Sequence, residues 1–472
     1  MTPRERTPLS TSPTSRRRVP RRLMASAAAL VAAAVLTGCV QSGTAEGAYG
    51  ETGNLSYWMW DSNQVPAYQK CADAFEIDNP DITISIEQYG YDDYWNKLMT
   101  SFVANSAPDV FVDHSSKYGD YSSRGLIENL DDLILDDNVD MSQYVEGTAE
   151  LWQGPDGHQY GLPKDWDTVA LFYNEDMTTE AGITAEELGQ MTWNPEDGGS
   201  YEQVIASLTV DENGVRGNEE GFDKGNVETY GLGLDDSGGG YGQVTWAMLA
   251  ATTGWTYMDT PTWGSEFNYD DPRFQATIGW WRGLIDKGYM PPLSQTVGTA
   301  LSSKLQVGAY AMVTDGSWNI NTYDKLQGVN LNTAPTPIGV EGERASTFNS
   351  LADSISVSST QKGAAWEWVK YLGSIECQQV VAEAGVVFPS ITAVDTIAEE
   401  KFAQTGFDVS AFTTHIDDKT TVLFPLSEAA VEIGAVMTNS MDKVMSFSAE
   451  PSSLTATDDA VNKLLSLEQQ KE

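Results

Sequence analysis

The sequence predicts an α/β protein made of two lobes that are joined by crossing segments. Three observations predict it. Apolar runs with strand character alternate with segments of helical spacing between residues 55 and 135. The stretch from Leu55 to Glu472 is too long for one hydrophobic core. Residues 161–174, GLPKDWDTVALFYN, lead from charged and aromatic residues into an apolar run typical of a buried strand, as a crossing between lobes would.

The first 38 residues predict the export signal of a lipoprotein. An Arg-rich stretch precedes an apolar run, residues 23–36, that is too short to span a bilayer comfortably. The run ends in Leu36, Thr37, Gly38 and Cys39, a pattern typical of bacterial lipid attachment to the cysteine. We therefore expect residues 1–38 to be removed and Cys39 to carry a lipid such as palmitate. Residues 39–53 are small and polar, which predicts a flexible tether.

Composition limits the ligands and the partners. The formal net charge is -41 at pH 7, so phosphate backbones and anionic membrane surfaces would repel the chain. We therefore predict no nucleic-acid partner. The three histidines are far apart and show no zinc spacing, and we predict neither a metal nor a cofactor. If Cys39 is lipidated, Cys71 and Cys377 either form a disulfide or remain free thiols, and the sequence leaves both open.

The first third of the body alternates strands and helices, which favours a largely parallel sheet with right-handed crossovers. The predicted strands are 55–60, 82–86 and 108–112, and the predicted helices are 65–78, 91–105 and 118–125, after which Leu126, Ile127 and residues 130–135 follow. Ligands of such sheets bind beyond the carboxyl ends of the strands. The candidate binding residues near those ends are Trp60, Asp61, Tyr91, His114, Ser116 and Lys117. A core role for Trp60 and a structural role for His114 stay open as alternatives.

The remainder has predicted strands at 169–173, 308–313 and 354–357, and its end, from residue 393 on, is mainly helical by spacing. The predicted helices are 178–192, 200–208, 243–253, 270–289, 362–372 and 431–444. Asn213 and Gly214 indicate a hairpin turn, because this glycine comes too early for a calcium loop. The glycine-rich stretch 237–242 lacks the Lys of a phosphate-binding loop and places Tyr241 at the start of a helix. Trp318 follows a strand and a glycine, where its ring can face a crevice, and a packing role stays open as the alternative.

Six segments in succession resemble the family 1 extracellular solute-binding proteins, which are lipid-anchored sugar receptors of ABC importers of the maltose and multiple-sugar-binding type. These segments are AFEIDNPDITISIEQ, SAPDVFV, GLPKDWDTVALFYNEDM, GAYAMVTDGSW, APTPIG and KGAAWEWVKYL. The resemblance covers nearly all of the chain after the tether. It implies a periplasmic-binding-protein-like fold of type II, with hinge-connected lobes and the ligand in the cleft. The implied lobes are 54–164 with 352–390, and 165–351 with 391–472.

The resemblance also implies binding positions. The polar contacts after PDVFV fall on His114, Ser116 and Lys117, and the stacking tryptophan falls on Trp318. The acid of the first crossing falls on Asp165 or Asp167, with Trp166 between them, and the second crossing supplies Asn349 and Asp353. Ser116 and Lys117 stand where maltose-binding members have an acid and an arginine. This departure argues against maltose itself as the ligand.

We therefore expect a monomeric, non-enzymatic receptor on the outer face of the bacterial cell membrane. It would capture a carbohydrate, most simply an oligosaccharide, and deliver it to the permease subunits of an ABC importer. Two alternatives stay open. A binding protein of the same fold for a polyamine would suit the acidic composition, and a secreted glycoside hydrolase needs only two suitably spaced carboxylates among the 68 acidic residues. The absence of a G-x-S-x-G motif and the resemblance count against an enzyme.

Overall fold

The computed structural model of the protein describes residues 52–296, 298 and 300–470. The predicted export signal, the lipidated Cys39 and most of the tether lie outside this range. The strands are β1 Gly53–Met59, β2 Ile82–Gln88, β3 Val110–His114, β4 Leu162–Asp167, β5 Val169–Asn174, β6 Val210–Asp211, β7 Val227–Leu232, β8 Tyr310–Gly316, β9 Leu331–Ala334, β10 Ser346–Ile355, β11 Phe388–Pro389 and β12 Thr421–Leu423.

The helices cover the faces of the two sheets that these strands form. They are α1 Val65–Asp78, α2 Tyr91–Val103, α3 Tyr118–Ser123, α4 Asp131–Asp136, α5 Glu175–Glu180, α6 Ala185–Gly189, α7 Gly199–Leu208, α8 Ala247–Ala251, α9 Pro272–Lys287, α10 Leu301–Gln306, α11 Ile320–Asp324, α12 Lys362–Leu372, α13 Ile375–Ala384, α14 Thr392–Phe402, α15 Ser410–Asp417, α16 Ala430–Met445 and α17 Leu454–Gln469. Of the helices in the described part of the chain, none is long and apolar enough to cross a membrane.

The first sheet has the strand order β11-β4-β10-β3-β1-β2, with β12 paired to β10, and the second has the order β6-β7-β8-β5-β9. Strand β1 pairs in parallel with β2 and β3, as the alternation predicts. The prediction of a largely parallel sheet is wrong beyond these three strands. Strand β10 runs antiparallel to both β3 and β4, because the chain returns to the first sheet from the second.

The chain crosses between the sheets at one residue. Strand β4 ends at Asp167 in the first sheet and β5 begins at Val169 in the second, so only Thr168 separates them. Thr168 is buried, and its hydroxyl donates to the Phe412 carbonyl at 2.9 Å. The second crossing leads from β9 to β10. The lobe boundaries implied by the family resemblance stay a prediction.

Three apolar clusters stabilise this arrangement. One packs β1, β2 and β3 against α1, α12 and α13, and it contains the disulfide between Cys71 and Cys377, whose Cα atoms are 5.3 Å apart. A second surrounds β5 and β8 and includes Trp280 and Trp281 of α9, both buried as expected. The third takes residues from both sheets, and its ring contacts include Trp166 on Phe388. Each buried large side chain contributes about 1.5–3 kcal/mol relative to exposure.

Local signals explain where the predicted elements differ from the observed ones. Helix α12 has the predicted bounds, but the helix expected at 178–192 is divided into α5 and α6. Gly182 between them has a φ of +73°, and Thr184 forms a capping box with Glu187 at the start of α6. The turn at Asn213 is held by Asp211, whose carboxylate accepts from the backbone amides of residues 213 and 215 at 2.8 and 2.9 Å.

Candidate ligand-binding site

A cavity of about 510 Å³ takes its lining from both sheets and from the two crossings, a size typical of small-ligand sites. Four residues follow or adjoin strands of the first sheet, and four belong to the strand ends of the second sheet and to the short helices after β8. The parts of the molecule around the first and the second sheet are called the first and the second lobe. The first group is Trp60, Asp61, Tyr91 and His114, and the second is Asp235, Asp315, Trp318 and Tyr323. Asp167 and Asn349 come from the crossings, where they pair across β4 and β10.

The wall from the first lobe is aromatic. Trp60 follows β1 and lies among three rings of α2, with centroid distances of 5.7 Å to Tyr91, 5.1 Å to Tyr94 and 5.1 Å to Trp95. The contacts with Tyr91 and Tyr94 are edge-to-face, and such packing fixes the orientation of the indole. Trp60 is therefore a cavity residue that its neighbours hold in place, rather than a core tryptophan.

The second lobe contributes Trp318, in the short 3-10 helix that follows β8. Gly316, two residues earlier, explains why its ring can lie where it does. A Cβ at this glycine would collide with the Trp318 ring, so the indole lies directly against the backbone at the end of β8. The glycine is thus needed for close approach rather than for a special φ angle.

Four aspartates line the cavity. Asp61 accepts from the Asn63 amide and from Gln64 Nε2, at 2.8 and 3.0 Å. Asp315 accepts from the Tyr323 hydroxyl at 2.6 Å and from Asn319 Nδ2 at 3.0 Å. These donors orient the two carboxylates, although burial raises the pKa of each above its usual value.

The other two cavity aspartates have fewer internal donors. One oxygen of Asp167 accepts from Ser317 Oγ at 2.7 Å, and burial raises the pKa of this carboxyl to about 7. Burial, followed by the charges of Asp236 and Asp315, raises the pKa of Asp235 to about 7. Both groups therefore titrate near neutrality and respond to whatever enters the cavity.

His114 and Asn349 add uncharged polar groups. Burial lowers the pKa of His114 to about 3, so the imidazole is neutral. Its Nδ1 accepts from the Ser116 backbone amide at 3.1 Å, which assigns the ring proton to Nε2. Asn349 receives a hydrogen bond from Ser115 Oγ on its oxygen at 3.4 Å, and its amide nitrogen bonds to no residue that the structure describes.

Six predicted binding residues lie outside the cavity lining. Ser116 bonds to His114 Nδ1 through its hydroxyl at 2.9 Å, and the Lys117 ammonium lies 5.8 Å from the Trp95 ring centroid. Tyr241 donates to the Ala430 carbonyl at 2.8 Å and packs in the second lobe's core. Trp166 stacks on Phe388 at 4.5 Å. Ligand contacts by these residues stay predictions that the cavity geometry does not support.

The remaining two, Asp165 and Asp353, belong to a buried layer of charge on the first sheet. The Lys164 ammonium lies 3.3 Å from Asp353 Oδ1 and 2.9 Å from the Tyr57 hydroxyl, and 4.1 Å from the Tyr68 ring centroid. Neither carboxylate oxygen of Asp165 has a hydrogen-bond partner among the described residues, and burial and the charge of Asp167 raise its pKa well above the usual value.

Sequence reasoning missed Asp235, Asp315 and Tyr323. Trp60 and His114 were predicted from their positions at strand ends. The same signal exists for two of the missed residues, because Asp235 comes shortly after β7 and Asp315 lies near the end of β8. Strand β7 was not predicted, because its sequence VETYGL contains the polar residues Glu228 and Thr229 and only its last two residues are buried.

A protein-family model described as bacterial extracellular solute-binding protein matches residues 70–406. The chain belongs to this family. The resemblance stated from the motifs is thereby confirmed. A solved structure supports the fold of this solute-binding protein independently. It is an ABC substrate-binding protein from Listeria monocytogenes in complex with cycloalternan, superposing with a TM-score of 0.75 at 18% identity over 88% of this chain and 99% of that one. The predicted two-lobe type II fold is confirmed.

Curated relatives match over a shorter stretch. A lactose-binding protein of Rhizobium radiobacter is 27% identical over 148 residues, which is 30% of this chain and 34% of the relative. A maltotriose-binding protein of Pyrococcus abyssi is 28% identical over 144 residues, 30% of this chain and 31% of the relative. The alignment thus spans about a third of the length of these relatives. In the part of the chain that the structure describes, no group of three or more potential metal ligands is found.

Proposed function

We propose that this solute-binding protein captures a carbohydrate between its two lobes and delivers it to the permease of an ABC importer. A lipid on Cys39 would hold the monomeric receptor at the outer face of the cell membrane. The observation that carries the proposal is the cavity, in which Trp60 of one lobe and Trp318 of the other accompany a set of carboxylates. The names of the relatives, which bind lactose and maltotriose, support a sugar.

The chemistry of the lining suits a sugar. A pyranose has apolar C–H faces that pack on indole rings, and a rim of hydroxyls that donate to carboxylates. Asp61 and Asp315 are already oriented by internal donors, so they can accept from a hydroxyl without rearranging. Each such hydrogen bond contributes about 0.5–1.5 kcal/mol net.

Capture follows from the division of the lining between lobes. A ligand that contacts both walls binds the closed form more tightly than the open form, where one wall is withdrawn. Binding therefore shifts the population toward closure. A permease that recognises the closed receptor would distinguish loaded from empty protein without any chemical step.

The proposal is tested with the mature protein and a panel of neutral sugars. Thermal shift followed by calorimetry with maltose, maltotriose, lactose and cellobiose should identify at least one ligand. Small-angle scattering should show a smaller radius of gyration with that ligand, and mass spectrometry should recover the sugar intact. Failure of every sugar to bind would contradict the proposal. Turnover abolished by one aspartate substitution would instead indicate a glycoside hydrolase.

A further inference from the structure

We infer that the carbohydrate captured in this cavity carries a positively charged amine. The inference rests on the proposed function and narrows it to aminosugars and related basic carbohydrates. It comes from the charge of the lining, from two polar groups that the protein leaves unused, and from the aromatic walls.

The lining is acidic. Asp61, Asp167, Asp235 and Asp315 line the cavity, whereas no Lys or Arg does so within the described residues. Lys164 lies 3.3 Å from Asp353, and the charges of Lys164 and Lys325 act on Asp61, where burial outweighs them. When a ligand displaces water, repulsion among the ionised carboxylates is less screened, and a neutral sugar supplies no opposite charge. An ammonium group on the ligand supplies that opposite charge.

Two carboxylates keep acceptor capacity that the protein does not use. Asp167 is 2% exposed, and its second oxygen has no hydrogen-bond partner in the described part of the chain, although the residue lines the cavity. Asp235 makes no salt bridge within those residues, and besides the charges of Asp236 and Asp315 its carboxyl group feels the backbone amides of residues 235 and 236. A charged N–H donor on the ligand would satisfy both at about twice the strength of a neutral one.

The uncharged groups explain why the ligand is a carbohydrate rather than a simple polyamine. The Asn349 amide nitrogen is a donor with no partner among the described residues, and Asn349 is only 5% exposed. A protonated polyamine has donors only and cannot accept from it, whereas a sugar hydroxyl can. Trp60 and Trp318 suit both the C–H faces of a sugar ring and a nearby cation.

The test uses pairs of probes that differ by one group. Calorimetry of the mature protein at pH 7.0 compares glucose with glucosamine, galactose with galactosamine, and cellobiose with chitobiose. N,N′-diacetylchitobiose serves as the neutral amide of the last pair, and spermidine as an amine without a sugar. We expect at least one amine to bind tenfold or more tightly than its hydroxyl counterpart, and acetylation to remove that advantage.

A variant ties the effect to the cavity. Asp235→Asn should weaken binding of the amine about tenfold more than binding of its hydroxyl partner. Asp81→Asn is the matched control, because it removes the same charge from an exposed position away from the cavity.

Several outcomes overturn the inference. The first is that the amines bind no more tightly than their hydroxyl partners, which includes pairs in which neither binds. The second is that spermidine binds more tightly than every sugar. The third is that Asp235→Asn lowers the affinities for the amine and for its hydroxyl partner equally. If the neutral sugars bind as tightly as the amines, the inference fails while the proposed function stands. If no sugar of either kind binds, the proposed function fails with it.

Discussion

Two sets of buried aspartates differ in what surrounds them. Asp165 and Asp353 are buried on the first sheet beside the ammonium of Lys164, whereas Asp167 and Asp315 line the cavity with only neutral donors. Among the residues that the structure describes, the structural layer thus contains a counter-charge, Lys164, whereas no Lys or Arg lines the cavity. We conclude that Asp165 and Asp353, the inner set, act on stability, and that Asp167 and Asp315, the cavity set, are available to a ligand.

The strongest test of this difference removes the buried cation. Lys164 is 1% exposed and Asp353 is 2% exposed, so Lys164→Met would leave a buried carboxylate without its partner. We expect the free energy of unfolding to fall by about 3–5 kcal/mol, since breaking a buried pair from one side costs that much. Urea unfolding followed by fluorescence measures the change.

The double variant Lys164→Met, Asp353→Asn is the control for this experiment. It removes both charges, so it should recover much of the lost stability, while ligand affinity of the folded double variant should stay within about threefold of the parent protein. A Lys164→Met protein as stable as the parent would show that the inner set does not depend on its counter-charge.

A second variant alters the cavity and leaves the inner aspartates and Lys164 unchanged. Trp318→Ala removes the aromatic face that the second lobe offers to a ligand. We expect affinity for the sugar to fall tenfold or more, which is about 1.4 kcal/mol, with a smaller effect on unfolding than that of Lys164→Met. Calorimetry with the best ligand of the panel measures it. Trp318→Phe should recover part of the affinity because a ring remains, and unchanged binding by the alanine variant would remove Trp318 from the site.

Local rules were sufficient for one wall of this cavity and insufficient for the other. Trp60 and His114 were predicted because residues at strand ends meet at one edge of a parallel sheet, and both line the cavity. The choice between Asp165 and Asp167 needs more than their sequence, because it depends on how deeply each position of β4 lies beneath its neighbours.

Strand β10 shows why the remaining features were not predictable. Only residues 354–357 were predicted as a strand, whereas the observed strand runs from 346 to 355 and is buried throughout. Its sequence STFNSLADSI is rich in polar residues, which indicate a loop when read locally. Partners from β3 and β4 satisfy its backbone, and side chains such as Asp353 find theirs in Tyr57 and Lys164, far away in sequence. Strand assignment here depends on tertiary pairing.

The last prediction concerns a slope of stability with pH, and it comes from the proton on Asp113 of β3, in the first sheet. Burial raises the pKa of Asp113 to about 8, and the charge of Asp353 adds to this rise. The His114 amide, Ser354 Oγ and Lys117 act in the opposite direction. Since the unfolded carboxyl titrates near its usual value of about 4, the native state binds the proton more tightly. The free energy of unfolding therefore falls as pH rises from about 4 to 8, by at most about 1.4 kcal/mol per pH unit from this group.

Asp113→Asn keeps an oxygen acceptor for the His114 amide and removes the titration, so its stability should fall less steeply between pH 5 and 8 than that of the parent. Urea unfolding at one-unit steps measures both slopes, and Asp81→Asn, at an exposed position, should match the parent. Asp165, Asp167 and Asp353 titrate in both proteins, so the difference between the slopes reports Asp113 together with its coupling to Asp353. A saturating sugar would shift the pKa values of Asp167 and Asp235, which line the cavity. The difference in slope that is due to Asp113 should persist. Identical slopes without ligand would contradict a proton held on Asp113, and a difference that disappears with ligand would assign that proton to the cavity.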